Sequence, residues 1–451
     1  MSSAPRPTMD GPFSSASMEV ALEPAKRSTR GRAGMFGDGA TGADAAEAPV
    51  ESSPAITAAD VLERARALAP LLRERAAEIE QARRLPADVV ELLRGTGVFR
   101  MGFSKEWGGP ELSSVEQTEV IEAISHGDAA AGWCAMIGSD SGLYVQFLAE
   151  EVAREMFPSL DMATAGLLFP TGRAEIVDGG YRLSGRWQFG SGITHADWVV
   201  SGAFLYRDGE PEPSLDGDPH DSKLFMVPRS DVEVIDTWHT TGLAGSGSCD
   251  YMIADVFVPA ERTLTFDTVR NGEGPLAQPE VHMRNMPGVA LGVARAALDH
   301  AHHVASSRTS PVSGRMADDY RVQTTIAECE SDFEATRHAT YAALRRQHEV
   351  LAGGGSMADL TPRERAALPL SRRHAFRTAR SIVTRLYDLM QTGSIYRSSP
   401  MDRWLRDSHT MCQHVVAQDR ILQSAGAHLL GGTPSFPLSL GLTSTARSRH
   451  G

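Results

Sequence analysis

The chain has little of what would tie it to a membrane, to nucleic acid or to an oxidising compartment. Its four cysteines, Cys134, Cys249, Cys329 and Cys412, lie far apart and form no Cys-x-x-Cys pair, so neither a zinc ribbon nor a disulfide scaffold is indicated. A reducing cytoplasm suits that pattern. No uninterrupted apolar run reaches the ~18 residues that would span a bilayer, and the N-terminus lacks the basic-then-apolar order of a signal peptide. Lys and Arg number 44 against 57 Asp and Glu, a net charge of −13. A nucleic-acid binder would need the opposite excess to neutralise phosphates. Glutamate is absent after Glu364, so the C-terminal part offers no Glu as a proton-abstracting base. Small molecules fit this balance better as partners.

With 451 residues, 41% of them hydrophobic, the chain can build two or three layers or domains around a sizeable core. Residues 1–55 are rich in Ser, Ala, Gly and Pro and bury too little to offset their ordering entropy, so a disordered leader is expected. Order is expected to begin at Thr57, an N-cap with Asp60 three residues on, followed by leucines at helical spacing. A second helix in LPADVVELLRGTGVF is expected to stop at Gly95 and Gly97, and a third starts after Ser113 with Glu116 closing a capping box. Residues 56–160 thus read as a helical domain. Over 161–278 the period changes to alternation, with an Asp-Gly-Gly turn in AEIVDGGYRLSGRWQF marking a hairpin of a β-domain. Over 279–435 four helical stretches are expected, at about 287–307, 317–351, 362–392 and 402–430, the third opened by Thr361, Pro362 and Glu364. Residues 436–451 remain as a tail.

Three motifs then recur in a telling order: LPADVVELLRGTGVFRMGFSKEWGG, GLAGSGSCDYMIADVFVP and DRWLRDSHTMCQH. Together they resemble the acyl-CoA dehydrogenase superfamily over about residues 57–432. The resemblance implies an α+β fold with an N-terminal helical domain, a central β-barrel domain and a C-terminal four-helix bundle. A dehydrogenase of this fold carries its base just after the Arg-Asp helix, where this chain has Cys412, Gln413, His414, Val415 and Val416. The alternative position, on the first bundle helix, is matched by His282, Met283 and Arg284. The base is therefore missing from both places.

The segment Trp187-Gln-Phe189-Gly190-Ser191-Gly192 resembles instead the two-component flavin-dependent monooxygenases of this superfamily, hydroxylases of aromatic or polycyclic small molecules. That resemblance implies reduced flavin, FMN or FAD, reacting with O2 through a C4a-hydroperoxyflavin. It also implies flavin supplied by a separate NAD(P)H:flavin reductase, since no dinucleotide-binding fold is read in the sequence. Trp187 and Phe189 would wall the isoalloxazine, Gly190 and Gly192 would let the backbone approach, and Ser191 would face flavin N5. The Gly/Ser backbone at Ser246 and Ser248 would bind the flavin phosphate, with Arg308 reaching over from a neighbouring subunit of a homotetramer. His414 would handle protons near its ordinary pKa of about 6.5, with His409 as a rival. Trp133, Ser139 and Asp140 are candidates for the substrate pocket, Trp133 equally readable as core. Ser191 also reads as a turn serine. His300, His302 and His303 scatter over two helix faces, so no metal site is expected. An acyl-CoA dehydrogenase using FAD and a non-catalytic homologue stay open as other readings.

Overall fold

The structure is a computed structural model and describes residues 56–214, 220–272, 274–311 and 314–442; the expected leader and the end of the expected tail lie outside these residues. The N-terminal block contains α1 (Ala58–Ala82), α2 (Ala87–Thr96), α3 (Ser114–Gly127), α4 (Ala129–Gly138), α5 (Ser141–Tyr144) and α6 (Glu150–Met156). Reciprocal capping boxes open α1 through Thr57 and Asp60 and α3 through Ser113 and Glu116. Each satisfies two amide donors that would otherwise be orphaned at a helix start. α2 runs through Gly95 and ends at Gly97, whose φ of 85° only glycine adopts cheaply. A single Gly inside a helix costs only about 1 kcal/mol, so Gly95 does not terminate it.

Strands β1 (Thr164–Val177), β2 (Gly180–Gly190), β3 (Trp198–Arg207), β4 (Glu210–Pro211), β5 (Ser222–Pro228), β6 (Glu233–Ile235), β7 (Cys249–Pro259) and β8 (Thr263–Leu264) form one mixed sheet. Its order is β6-β7-β2-β1-β3-β5-β8, with β4 on β3. The Asp-Gly-Gly hairpin joins β1 to β2 with Val177 opposite Gly180, and only β1–β3 is parallel. Among the described residues no ladder joins β6 to β8, so the expected central barrel is a sheet with two ends. One face packs around Trp187, Tyr251 and Phe225, the other with Trp198 and Val200 against Tyr144 and Phe147. Trp187 is fully buried, stacks on Tyr251 at 5.5 Å and donates from Nε1 to the Gly202 carbonyl at 2.8 Å. A Cβ on Gly172 would fall 2.2 Å from its ring, so a close backbone approach is what that glycine supplies.

The C-terminal block contains α7 (Pro287–Ser307), α8 (Tyr320–Ala352), α9 (Pro362–Met390), α10 (Pro400–Met411) and α11 (Asp419–Leu429). Thr361 and Glu364 cap α9 with Pro362 in its first turn. The single stretch expected over 402–430 is two helices, because His414 takes an extended conformation (φ −63°, ψ 146°) between them. The Gln418 side chain holds the break by donating to the Cys412 carbonyl at 2.7 Å. Phe436 and Leu440, in the stretch expected as tail, are buried. The two helical blocks share one apolar core, from Val61 and Ile124 to Val293, Phe376 and Met401, which brings α4 beside α10.

Candidate active site

The motif at the end of β2 is where the sheet becomes irregular. Pairing of β2 with β7 slips between Trp187 and Gly190, and such bulges re-aim side chains beside functional sites. Phe189 sits there at φ 62° and 59% exposed, edge-on to Trp238 at 6.3 Å. A phenylalanine held in the left-handed region and facing outward is strained, and strain of this kind concentrates at ligand clamps. Gly190 is set by the sheet, since a Cβ there would press on Tyr251 at 3.0 Å, while Gly192 turns the chain at φ 75°.

Just past the bulge Ser191 is buried in a chain of hydrogen bonds. Trp133 of α4 donates from Nε1 to Ser191 Oγ at 3.0 Å; Ser191 Oγ lies 2.7 Å from Ser248 Oγ, and Ser248 Oγ lies 2.7 Å from Ser246 Oγ. Ser246 Oγ donates to the Leu243 carbonyl at 2.7 Å. Both later serines are almost fully buried. Their hydroxyls are thus committed to one another and to Leu243, which leaves the backbone donors of this loop as what it could offer a phosphate. The role expected of Trp187 is corrected, because it fills the sheet interior and walls nothing. Arg308 is exposed at the end of α7, near Gly393, and no contact with the serine cluster is seen among the described residues.

His414 meets the cluster through Trp133, ring to ring at 5.4 Å. The Val416 amide faces its Nδ1 at 3.5 Å, which leaves the proton on Nε2. Burial, with the Arg372 guanidinium and His282 behind it, lowers its pKa to about 4. The ordinary value expected from sequence is thus replaced by a histidine neutral throughout the physiological range. Arg372 is buried, donates to the Met283 carbonyl at 3.0 Å and leaves Nε and Nη2 unpaired; nothing in its sequence context marked it. His409 is exposed on α10 and makes no ring contact with Trp133, so of these two rivals His414 is the one the fold brings to Trp133.

Of the other candidates, Ser139 turns its hydroxyl onto the Met136 carbonyl at 2.8 Å, a helix-end bond that leaves it little to offer a ligand. Asp140 is nine-tenths buried, makes no side-chain hydrogen bond among the described residues, and burial alone raises its pKa well above the ordinary value. Burial thus favours its protonated form. Among the described residues no three His, Cys, Asp or Glu side chains are grouped to hold a metal. His302 does have an acidic partner, Glu330 at 2.8 Å, reached across from α8. That partner is far away in sequence and was invisible there.

Sequence reasoning also missed the anchor of the cluster. Asp407, of the Arg-Asp pair, accepts the Leu243 amide at 2.6 Å, and Leu243 stands at φ 50°. Burial raises the Asp407 pKa to about 7, with the nearby Asp128 carboxylate adding to it, and burial raises Asp128 to about 6. The two line a cleft of about 430 Å³ with Arg403, Trp404, Asp299 and His300. None of Trp133, Ser191, Ser248 or His414 lines it. Arg406 beside them binds Glu80 of α1 and donates to the Thr241 carbonyl at 2.6 Å.

Comparison with known proteins gives a consistent result. The family model described as acyl-CoA dehydrogenase, N-terminal domain, matches residues 60–161, and the acyl-CoA dehydrogenase, C-terminal domain, matches 286–419. The chain is 35% identical to an indole-3-acetate monooxygenase of Pseudomonas putida, over 80% of this chain and 91% of that one. It is 30% identical to the oxygenase component of an FADH(2)-dependent resorcinol hydroxylase of a Rhizobium species, over 86% and 97%. Among solved structures, a 3-HSA hydroxylase from a Rhodococcus superposes with a TM-score of 0.75 at 27% identity, over 83% and 97%.

The buried Asp407 gives a pH signature. Its folded pKa, about 7, lies above the ordinary aspartate value, so the folded state holds the proton more tightly than the unfolded chain. Its contribution to stability is complete at low pH and is lost as pH rises through 7. Asp407→Asn keeps an acceptor for the Leu243 amide without the charge. Thermal midpoints measured from pH 4.5 to 7.5 are expected to fall less with rising pH in the variant than in the wild type; parallel curves would show that Asp407 is not titrating there.

Proposed function

The chain belongs to the acyl-CoA dehydrogenase family, in its branch of flavin-dependent monooxygenases, and we infer that reduced flavin from a separate NAD(P)H:flavin reductase sits against Ser191. The substrate in this reading is an aromatic or polycyclic small molecule that is hydroxylated beside His414. The observation that carries it is the Trp133–Ser191–Ser248 cluster next to a neutral histidine, with no carboxylate base at hand. Among the described residues the one buried glutamate, Glu280, takes Arg284 and, at 2.9 Å, Gln347 on Oε1 and has no partner on Oε2, and no hydrogen bond joins it to the Ser191 cluster.

The residues present fit a flavin. Ser191 keeps a small exposed face and an uncommitted lone pair, and Phe189 offers an exposed ring beside it. Reduced flavin, FMNH2 or FADH2, supplies the electrons that activate O2. The chain's own part is to hold the N5 proton at Ser191 Oγ, to exclude water with Trp133, and to meet the substrate with His414. An uncharged imidazole carrying its proton on Nε2 can donate that hydrogen bond, and its low pKa makes it a weak base rather than an acid at pH 7. Asp140, whose protonated form burial favours, suits the polar edge of an uncharged aromatic.

Assembly belongs to the same reading. Tyr320, Ile395, Tyr396 and Leu430 are exposed on the C-terminal block, an apolar surface that favours a homotetramer in which Arg308 serves a neighbour's flavin phosphate. No described helix is long and apolar enough to cross a membrane, which agrees with the cytoplasmic location proposed here.

Anaerobic titration with acyl-CoA thioesters of graded length is expected to leave bound flavin unbleached; rapid bleaching by any of them would restore the dehydrogenase reading. In a reductase-coupled assay His414→Ala should lower product formation by about 10²-fold with reduced-flavin affinity changed less than about threefold. Wild-type hydroxylation rate would refute the role given to His414. Light scattering is expected to give the mass of a tetramer, and a monomer that binds reduced flavin tightly would end the inter-subunit role of Arg308.

A further inference from the structure

The hydrogen bonds around Ser191 have only one consistent direction. An indole N–H can only donate and a carbonyl oxygen can only accept. Trp133 therefore donates to Ser191 Oγ at one end, and Ser246 Oγ spends its single proton on the Leu243 carbonyl at the other. Ser246 then has no proton left for its 2.7 Å contact with Ser248, so Ser248 donates to Ser246. By the same count Ser191 donates to Ser248 across their 2.7 Å contact. With its proton used and one lone pair taken by Trp133, Ser191 has a single lone pair left. Toward anything that enters, it is an acceptor only.

We propose that this polarised serine chain, fixed by Ser246 and Ser248, makes the site select the reduced flavin over the oxidised one. The proposal rests on the reading that places flavin N5 at Ser191. Reduced flavin presents N5–H, a donor, which the free lone pair accepts with every other bond kept. Oxidised flavin presents a bare N5 acceptor. To serve it Ser191 must turn its proton outward, and then either two serine oxygens face each other with no proton between them or Ser246 abandons the Leu243 carbonyl. Both arrangements hold one hydrogen bond fewer than the reduced complex. Ser246 and Ser248 are positioning residues here, acting on the flavin only through Ser191.

Equilibrium binding of FMN and FAD, oxidised and dithionite-reduced, measured anaerobically on the full chain, tests this without turnover. The wild type should bind the reduced form more tightly, and Ser248→Ala should lower the ratio of oxidised to reduced Kd by about tenfold, the worth of one hydrogen bond, mostly by tighter oxidised binding. Ser246→Ala, two hydroxyls away, should do the same because Ser248 is then free to turn toward Ser191, while Ser246→Thr should restore the wild-type ratio. Trp133→Phe leaves the direction set by Leu243 intact and should leave the ratio near wild type. A merely structural role for the serines would weaken both redox forms alike. Wild-type ratios in Ser246→Ala and Ser248→Ala, with Ser191→Ala altered, would overturn the proposal and leave the flavin at Ser191; a wild type that binds neither flavin in either redox state would overturn both. Should Ser246→Ala fail to fold, Ser248→Ala alone decides.

Discussion

One buried hydrogen bond, from the Leu243 amide to Asp407, holds the site in register. It joins α10 to the loop between β6 and β7 at 2.6 Å and fixes Leu243 in a backbone conformation that a leucine adopts only under constraint. The Leu243 carbonyl, so positioned, receives Ser246 Oγ and also Trp238 Nε1 at 3.0 Å. From there the hydroxyls run to Ser191. Arg406, next in sequence to Asp407, ties the same helix to Glu80 of α1 and to Thr241. The adjacent Arg and Asp thus clamp three parts of the chain together, and the direction of a proton at Ser191 is settled far from it in sequence. A charge buried this deeply costs several kcal/mol unless it is neutralised, which is why Asp407 retains its proton to about pH 7.

Burial also shifts several titratable groups toward their neutral forms. His414 and His282 are driven neutral by burial, each to about 4, and Asp140 is pushed toward its protonated form by the same cause. Desolvation thus acts on acids and bases alike and leaves hydrogen-bonding groups without net charge. Arg372 is the exception, a buried cation with unpaired donors behind His414. Its charge is part of what keeps the imidazole from protonating.

Local signals in the sequence located most of the elements. The Thr57–Asp60, Ser113–Glu116 and Thr361–Glu364 pairs are each complete within four residues, so their capping boxes could be read directly and are present. The Asp-Gly-Gly hairpin is local for the same reason. Where expectation failed, the deciding partner lay far along the chain. The helix expected through residue 414 is broken because His414 packs its ring on Trp133. Trp187 and Phe189, two residues apart, point to opposite fates because a bulge against β7 separates them.

By itself the sequence determined what depends on spacing and composition: helix, strand and helix in order, the caps and turns that bound them, the absence of a Glu base after Glu364, and a Trp-x-Phe-x-Ser-Gly segment where chemistry could sit. Tertiary structure alone decided which face each of those residues shows. It chose His414 over His409, sent Trp187 inward, lowered the pKa of His414 and His282 and raised those of three aspartates by burial, and gave the Ser191 hydroxyl its direction. The physical reason is the same throughout: propensity acts between neighbours in the chain, whereas desolvation and hydrogen-bond polarity are set by atoms that only folding brings within 3 Å, as Trp133 is brought to Ser191.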